Sequence, residues 1–116
     1  MIEPKNVFQF QAISYNPEEK TAECLLKILP DNPYFQGHFP DKLVLPGVAI
    51  LDASIEFIRR NFGVHSLQSI KAAKFMGVLE PGMEISLHVR KEKGDEWRVE
   101  WRDNGSKILT ELILRF

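Results

Sequence analysis

Only one segment of this chain carries apolar residues at helical spacing, and strand-patterned segments lie on both sides of it. The apolar positions that recur at intervals of three and four residues are Val48, Leu51, Ile55, Ile58 and Phe62. That spacing is typical of one face of an α-helix. Pro46-Gly47 is suited to begin this helix and Gly63 to end it. The strands around the helix therefore have to supply the surface on which it packs.

The segments on either side of the helix have the alternation, or the aromatic and β-branched content, of strands. Before the helix they lie at residues 7–15 and 21–29, and a turn-forming cluster between them favours a hairpin. After the helix we expect three further strands joined by short turns. The segments that alternate lie at residues 85–89, 97–101 and 108–116, and they follow an apolar segment with interspersed lysines at residues 67–78.

This order of elements predicts an α+β fold in which one antiparallel sheet packs on one long helix. A chain of 116 residues can build one domain with its own core but not two, so residues 1–116 are expected to form a single domain. Its 44% hydrophobic and 27% charged content is typical of folded globular proteins. The 15 basic residues nearly balance the 16 acidic ones, which argues against nucleic acid or anionic lipid as the main partner.

Cys24 is the one cysteine of the chain, so it has no partner for an internal disulfide. No other Cys or His lies near it at metal-ligand spacing, and a reducing compartment fits best. The first 16 residues lack the apolar stretch of a signal peptide, and no apolar run of 18 residues occurs. We therefore expect a soluble cytoplasmic protein without a membrane span.

Two side chains near the start of the helix could transfer protons. His38 lies in a segment without a clear period, and an imidazole with an ordinary pKa of ~6.5 is suited to proton transfer near neutral pH. A histidine that only hydrogen-bonds the loop backbone is the alternative. Asp52 lies on or beside the apolar stripe of the helix, where loss of hydration favours a protonated carboxyl that can act as an acid. An exposed Asp52 that only complements the helix dipole is the alternative.

Gly47 adds a backbone group to these two side chains. A glycine at a helix start lets a ligand approach the backbone closely, and its amide has no acceptor within the helix. Such a donor can hold the oxygen of a thioester while negative charge develops on it. The alternative is a glycine with a purely conformational role.

Residues 37–53, GHFPDKLVLPGVAILDA, resemble the signature of the bacterial FabA/FabZ-type 3-hydroxyacyl-acyl-carrier-protein dehydratases. The nine-residue step from His38 to Gly47 and the five-residue step from Gly47 to Asp52 both match that family. The resemblance extends to residues 33–36 before the histidine and to residues 73–82 after the helix.

Within this family the chain is most similar to the compact dehydratases of aryl-polyene pathways, called ApeI-like. The helix acid is Asp, as in FabA-type members, whereas FabZ-type members carry Glu. The resemblance therefore leaves open whether the chain also isomerises the double bond that dehydration would create.

The resemblance implies a hotdog fold, in which an antiparallel sheet wraps one long helix and two subunits pair side by side. In this family the active site spans the dimer interface and combines a histidine, here His38, with a helix carboxylate of the partner chain, here Asp52. The family's backbone donor to the thioester carbonyl corresponds to Gly47. Three neighbouring positions are expected to bind substrate without a chemical role, and they are Phe39, Pro46 and Val48.

The combined interpretation is dehydration of a 3-hydroxyacyl thioester, with acyl carrier protein favoured over coenzyme A by the resemblance. His38 would be the base, Asp52 the acid or the group that orients the hydroxyl, and the Gly47 amide the oxyanion donor. This chemistry requires no metal or redox cofactor. One alternative is a hotdog thioesterase, which would use a carboxylate and water and would not need His38. The other is a catalytically silent hotdog protein that binds acyl chains or scaffolds a complex.

Overall fold

A computed structural model describes residues 8–35 and 44–116 of the chain. The described elements follow one another in the order strand, strand, short 3₁₀ helix, long α-helix and four strands. They are β1 (Gln11–Asn16), β2 (Thr21–Lys27), a 3₁₀ helix (Pro33–Phe35), α1 (Gly47–Phe62), β3 (Ser69–Phe75), β4 (Glu84–Lys91), β5 (Glu96–Arg102) and β6 (Ile108–Arg115).

All six strands form one antiparallel sheet, in the order β1-β2-β4-β5-β6-β3. The predicted hairpin of β1 with β2 is confirmed. The expectation of three strands after the helix was one too few, because residues 69–75 also form a strand. This strand pairs with β6, so the chain crosses the sheet and leaves β3 at the edge opposite β1.

The inner face of the sheet packs against α1. Alternate residues of β2, β4, β5 and β6 are buried there, and a hydrogen bond of 2.8 Å from the Trp101 indole Nε1 to the Ser54 Oγ joins sheet and helix. The rings of Trp97 and Phe62 are also in contact, with centroids 4.6 Å apart. The two tryptophans therefore pack the core, as their shared strand face indicates.

The stripe that the helix buries overlaps only in part with the apolar stripe in its sequence. Its buried residues are Ala49, Ile50, Ala53, Ser54, Phe57 and Ile58. Small residues in this set let the helix lie close to the sheet, while Val48 remains 59% exposed at the helix start. Leu51 and Ile55 are only partly buried at the margin of the core. A segment with apolar residues on more than one face can be oriented only by its tertiary contacts.

Both ends of α1 lie where the sequence indicates. Pro46 is the N-cap, and Gly63 ends the helix in the left-handed conformation with φ 63°. The Gly63 amide donates to the Arg59 carbonyl at 2.9 Å, which closes the last turn. Within the described ranges, no helix is long and apolar enough to cross a lipid bilayer.

Candidate active site

Two of the predicted site residues cannot be placed in the structure. The predicted base His38 and the predicted substrate contact Phe39 both lie outside the described residues. The described chain stops at the buried 3₁₀ helix and resumes at residues 44–46, directly before α1. The Leu45 amide donates to the Leu79 carbonyl at 2.7 Å, which ties the approach to α1 to the segment after β3.

Asp52 lies in the second turn of α1 and is half-buried. Its Oδ2 accepts a hydrogen bond of 2.6 Å from the Tyr34 hydroxyl. The carboxyl group is therefore neither fully buried in the core nor on the open solvent face, but at the junction of the helix and the 3₁₀ turn.

Tyr34 is a site residue that sequence reasoning did not single out. It is only 8% exposed, and burial followed by the hydrogen bond to Asp52 raises the pKa of its phenol far above the ordinary value. The hydroxyl is therefore protonated at any physiological pH and donates to the carboxyl. The sequence shows a tyrosine four residues before His38, but nothing in it indicates that this tyrosine contacts Asp52, which is 18 residues away in the chain.

Gly47 is the first residue of α1, and its amide points away from the helix. The carbonyl of Pro46 accepts from the Ala49 and Ile50 amides at 3.0 and 3.3 Å, whereas the Gly47 amide donates to no backbone carbonyl in the described part of the chain. The Phe75 ring covers this position so closely that a Cβ on Gly47 would lie 3.2 Å from the ring. At the helix start, a donor without an acceptor among the described residues thus lies against an aromatic ring.

A shallow apolar groove of about 490 Å³ extends from Gly47 along the segment after β3. Its lining residues are Val44, Leu45, Gly47, Ile50, Phe75, Met76, Gly77, Val78 and Leu79. Pro46 is half-buried and Val48 is exposed next to Gly47, so both predicted substrate contacts lie at the helix start.

His88 and Glu56, which lie outside the His38 to Asp52 segment or at its margin, have structural partners. His88 lies 3.0 Å from both Glu23 and Ser86 on the outer face of the sheet, and His65 is exposed. Glu56 forms an ion pair with Arg60, one helical turn later, at 3.4 Å. No cluster of three or more potential metal ligands is found in the described ranges.

Cys24 is unsuited to nucleophilic chemistry. It is a buried free cysteine, and burial is the main cause that raises the pKa of its thiol to about 12. A thiolate is therefore scarce at neutral pH.

Comparison with known proteins agrees with this architecture and identifies a family. The ApeI-like family model, described as ApeI dehydratase, matches residues 14–110. The FabZ 3-hydroxyacyl-acyl-carrier-protein dehydratase of Lactobacillus helveticus (strain DPC 4571) is 33% identical over 113 residues, which are 90% of this chain and 71% of the relative. That of Anaeromyxobacter sp. (strain K) is 31% identical over 101 residues, which are 76% of this chain. The match spans 64% of that relative, so the chain covers less than two thirds of its length.

A solved structure has the same fold over nearly its whole length. The dehydratase heterocomplex ApeI:P from Xenorhabdus doucetiae superposes with a TM-score of 0.83 at 24% identity, covering 93% of this chain and 96% of that one. The fold is therefore the hotdog fold, with one antiparallel sheet around one long helix, as predicted. Within that class the chain belongs to the ApeI-like dehydratase family, which confirms the resemblance.

Proposed function

We propose that this protein is a 3-hydroxyacyl-thioester dehydratase that forms a trans-2-enoyl thioester in fatty-acid or polyene/polyketide-type biosynthesis. The observation that carries the proposal is the start of α1, where the Gly47 amide, which has no acceptor among the described residues, lies in the lining of an apolar groove, and the Tyr34 hydroxyl anchors the Asp52 carboxyl five residues later. Membership of the ApeI-like family supports the same reaction.

The proposed reaction needs three groups. His38 takes the proton next to the thioester carbonyl, and the Gly47 amide holds the carbonyl oxygen as it becomes an enolate. The C–O bond at the third carbon then breaks, and the departing hydroxyl takes a proton from Asp52 to leave as water. Phe39, Pro46 and Val48 are the substrate contacts in this proposal. The groove along Phe75 and Met76 is of the apolar kind that suits an acyl chain.

A second copy of the chain is the proposed partner. The edge strand β3 is almost wholly exposed, and its apolar side chains continue onto the next segment and the helix start. The exposed apolar residues of this region are Val48, Ile70, Phe75, Met76 and Val78. An exposed, unpaired and apolar strand edge favours pairing with another strand. We propose a homodimer, alone or within a larger oligomer, that covers this edge.

The positions of Gly47 and Asp52 on α1 support a site shared between subunits. Five residues separate them by about 7.5 Å along the axis and by about 140° around it. Groups so far apart on one helix are better suited to two pockets than to one. We therefore assign Asp52 to the pocket that contains His38 and Gly47 of the partner copy.

The names of the relatives favour acyl carrier protein as the substrate handle, with coenzyme A as the alternative. We propose that residues 1–116 form one domain. We also propose a cytoplasmic location, because the one cysteine has no disulfide partner.

One assay separates this function from its alternatives. Purified protein is incubated with a 3-hydroxyacyl carrier-protein or coenzyme A thioester, and enoyl product and free thiol are followed together. Enoyl product supports dehydration, and free thiol supports a hotdog thioesterase. Tight acyl binding with neither product supports an acyl-binding scaffold. We expect His38→Ala and Asp52→Asn each to lower the dehydration rate by at least ~100-fold, and full activity of either variant would refute the assignment.

Hybrid dimers test whether the site is shared. His38→Ala and Asp52→Asn chains are co-expressed with different affinity tags, and the mixed species is isolated. In a shared site, each hybrid has one intact pocket of two, so the isolated hybrid has about half of the wild-type activity. A site within one chain predicts no recovery, because each chain then lacks one of its two groups.

A further inference from the structure

The Tyr34 hydroxyl is the group in the described chain that contacts a proposed catalytic side chain directly. Its oxygen lies 2.6 Å from Asp52 Oδ2, with Tyr34 as the donor. Asp52 becomes anionic as it gives its proton to the leaving hydroxyl, and a hydrogen bond to a charged group is stronger than one between neutral groups. It can therefore hold the carboxyl in one orientation.

Tyr34 is itself held from two sides. The Tyr34 backbone amide donates a hydrogen bond of 3.0 Å to the side-chain Oδ1 of Asn32, and Asn32 is only 6% exposed. The Tyr34 ring stacks on Phe8, with centroids 5.9 Å apart and an angle of 28° between the ring planes. With backbone and ring both restrained, the hydroxyl has little freedom to leave Asp52. Asn32, Tyr34 and Asp52 thus form a chain of contacts from the 3₁₀ turn to the helix.

The hydrogen bond occupies one carboxyl oxygen and leaves the other for substrate. Within the described ranges, Asp52 Oδ1 accepts no hydrogen bond. We propose that Tyr34 is a positioning residue, which binds Oδ2 of Asp52 and thereby directs Oδ1 toward the 3-hydroxyl group of the substrate. This inference rests on the proposed function, because it assigns Asp52 a partner in that reaction.

The phenol is suited to a fixed role and not to proton exchange. Burial first, and then the contact with Asp52, raise the pKa of Tyr34, so the hydroxyl keeps its proton during turnover at neutral pH. Tyr34 orients the carboxyl while the proton that joins the leaving hydroxyl comes from Asp52.

The test removes one oxygen atom. Tyr34→Phe keeps the ring that stacks on Phe8 and deletes the donor to Asp52. We expect kcat to fall on the order of 10-fold, the lower range for a hydrogen bond to a charged group, while KM changes less than about twofold. Tyr15→Phe is the matched control, because Tyr15 is the only other tyrosine of the chain and is 46% exposed. Its ring contacts Phe62, and the substitution keeps that ring. A Tyr34→Phe enzyme with wild-type kcat would overturn the inference.

A double-mutant cycle with Asp52→Asn separates positioning from a general structural effect. If Tyr34 acts through Asp52, Tyr34→Phe lowers the rate of the Asp52→Asn enzyme by less than about twofold. If the rate reductions of the two single variants multiply in the double variant, the two residues act independently and the inference is overturned. Unchanged melting temperature in Tyr34→Phe excludes loss of fold as the cause of a lower kcat.

A spectroscopic measurement tests the contact without turnover. In a Tyr15→Phe background Tyr34 is the single tyrosine, and the tyrosine doublet of its Raman spectrum reports whether the hydroxyl donates strongly. We expect Asp52→Asn to weaken that donor signal, and an unchanged spectrum would contradict the inference. If the wild-type protein has no dehydratase activity, both the proposed function and the positioning role of Tyr34 are refuted. If the wild-type protein and the Tyr34→Phe variant are equally active, only the positioning role is refuted.

Discussion

Gly47 shows how much a single missing side chain contributes to the proposed chemistry. The Phe75 ring lies where a side chain at this position would begin, and the amide beside it is unpaired within the described chain. The sequence indicated a glycine that admits a ligand to the backbone. The structure adds that β3 supplies the opposite wall, so the helix start and the edge strand together define the width of the approach.

Gly47→Ala should therefore affect activity more than stability. The added methyl group would lie 3.2 Å from the half-exposed Phe75 ring, which has to move by a few tenths of an ångström. We expect the unfolding free energy to change by less than about 1.5 kcal/mol, whereas kcat/KM for a 3-hydroxyacyl thioester falls by at least about 10-fold. Gly105→Ala is the control, since its added Cβ makes only an ordinary 3.5 Å contact with Asp103. Unaltered kcat/KM in Gly47→Ala would exclude a close approach of substrate to this backbone.

The α1 helix has a sharply defined end that depends on one residue. Gly63 adopts φ 63°, a conformation in which the Cβ of other residues crowds the following carbonyl oxygen. Among the residues that the structure describes, no atom outside the local chain lies within 4 Å of an added Cβ there, so the expected cost of a substitution is backbone strain. The end of the helix thus follows from a local rule.

Gly63→Ala should lower the unfolding free energy by about 1 to 2 kcal/mol. The amide to Arg59 carbonyl hydrogen bond does not involve the added methyl group, so only the strained φ changes. Denaturant unfolding measures the unfolding free energies of Gly63→Ala and of the control Gly105→Ala. The backbone of Gly105 lies outside the left-handed region. Equal stability of the two variants would show that the helix end can shift without cost.

The whole molecule has two unlike sheet edges. Both β1 and β3 carry exposed apolar side chains, but only the β3 edge is continuous with Gly47, Val48 and the groove. Covering that edge would bury apolar surface and enclose the groove at the same time. The proposed dimer thus links assembly to the formation of the pocket.

Ile70→Lys should weaken the dimer by at least about 10-fold in Kd, because each subunit loses an isoleucine worth about 1.5 to 3 kcal/mol when fully buried. Ile13→Lys is the matched control on the opposite edge, since Ile13 is 44% exposed and Ile70 is 46% exposed. Sedimentation equilibrium of wild-type and variant chains measures the difference. Equal dissociation constants for the two variants would place the interface elsewhere, and the melting temperature of each variant checks that the monomer is folded.

Local patterns in the sequence predicted much of this protein. The two strands before the helix, the ends of α1 and the three strands of the final meander depend on side-chain alternation, helical spacing and turn residues between near neighbours. The motif from His38 to Asp52 identified the family for the same reason, because its spacing is carried by one continuous segment. The roles of His38, Asp52 and Gly47 stay predictions.

Tertiary structure alone decided which segments distant in the sequence meet. It placed β3 next to β6 at an open edge, oriented α1 with Ala49, Ala53 and Ser54 toward the sheet, and brought the Phe75 ring over Gly47. It also joined Tyr34 to Asp52. None of these contacts has a local signature, because each depends on how elements distant in the chain pack around one core, and many pairings satisfy the same local pattern.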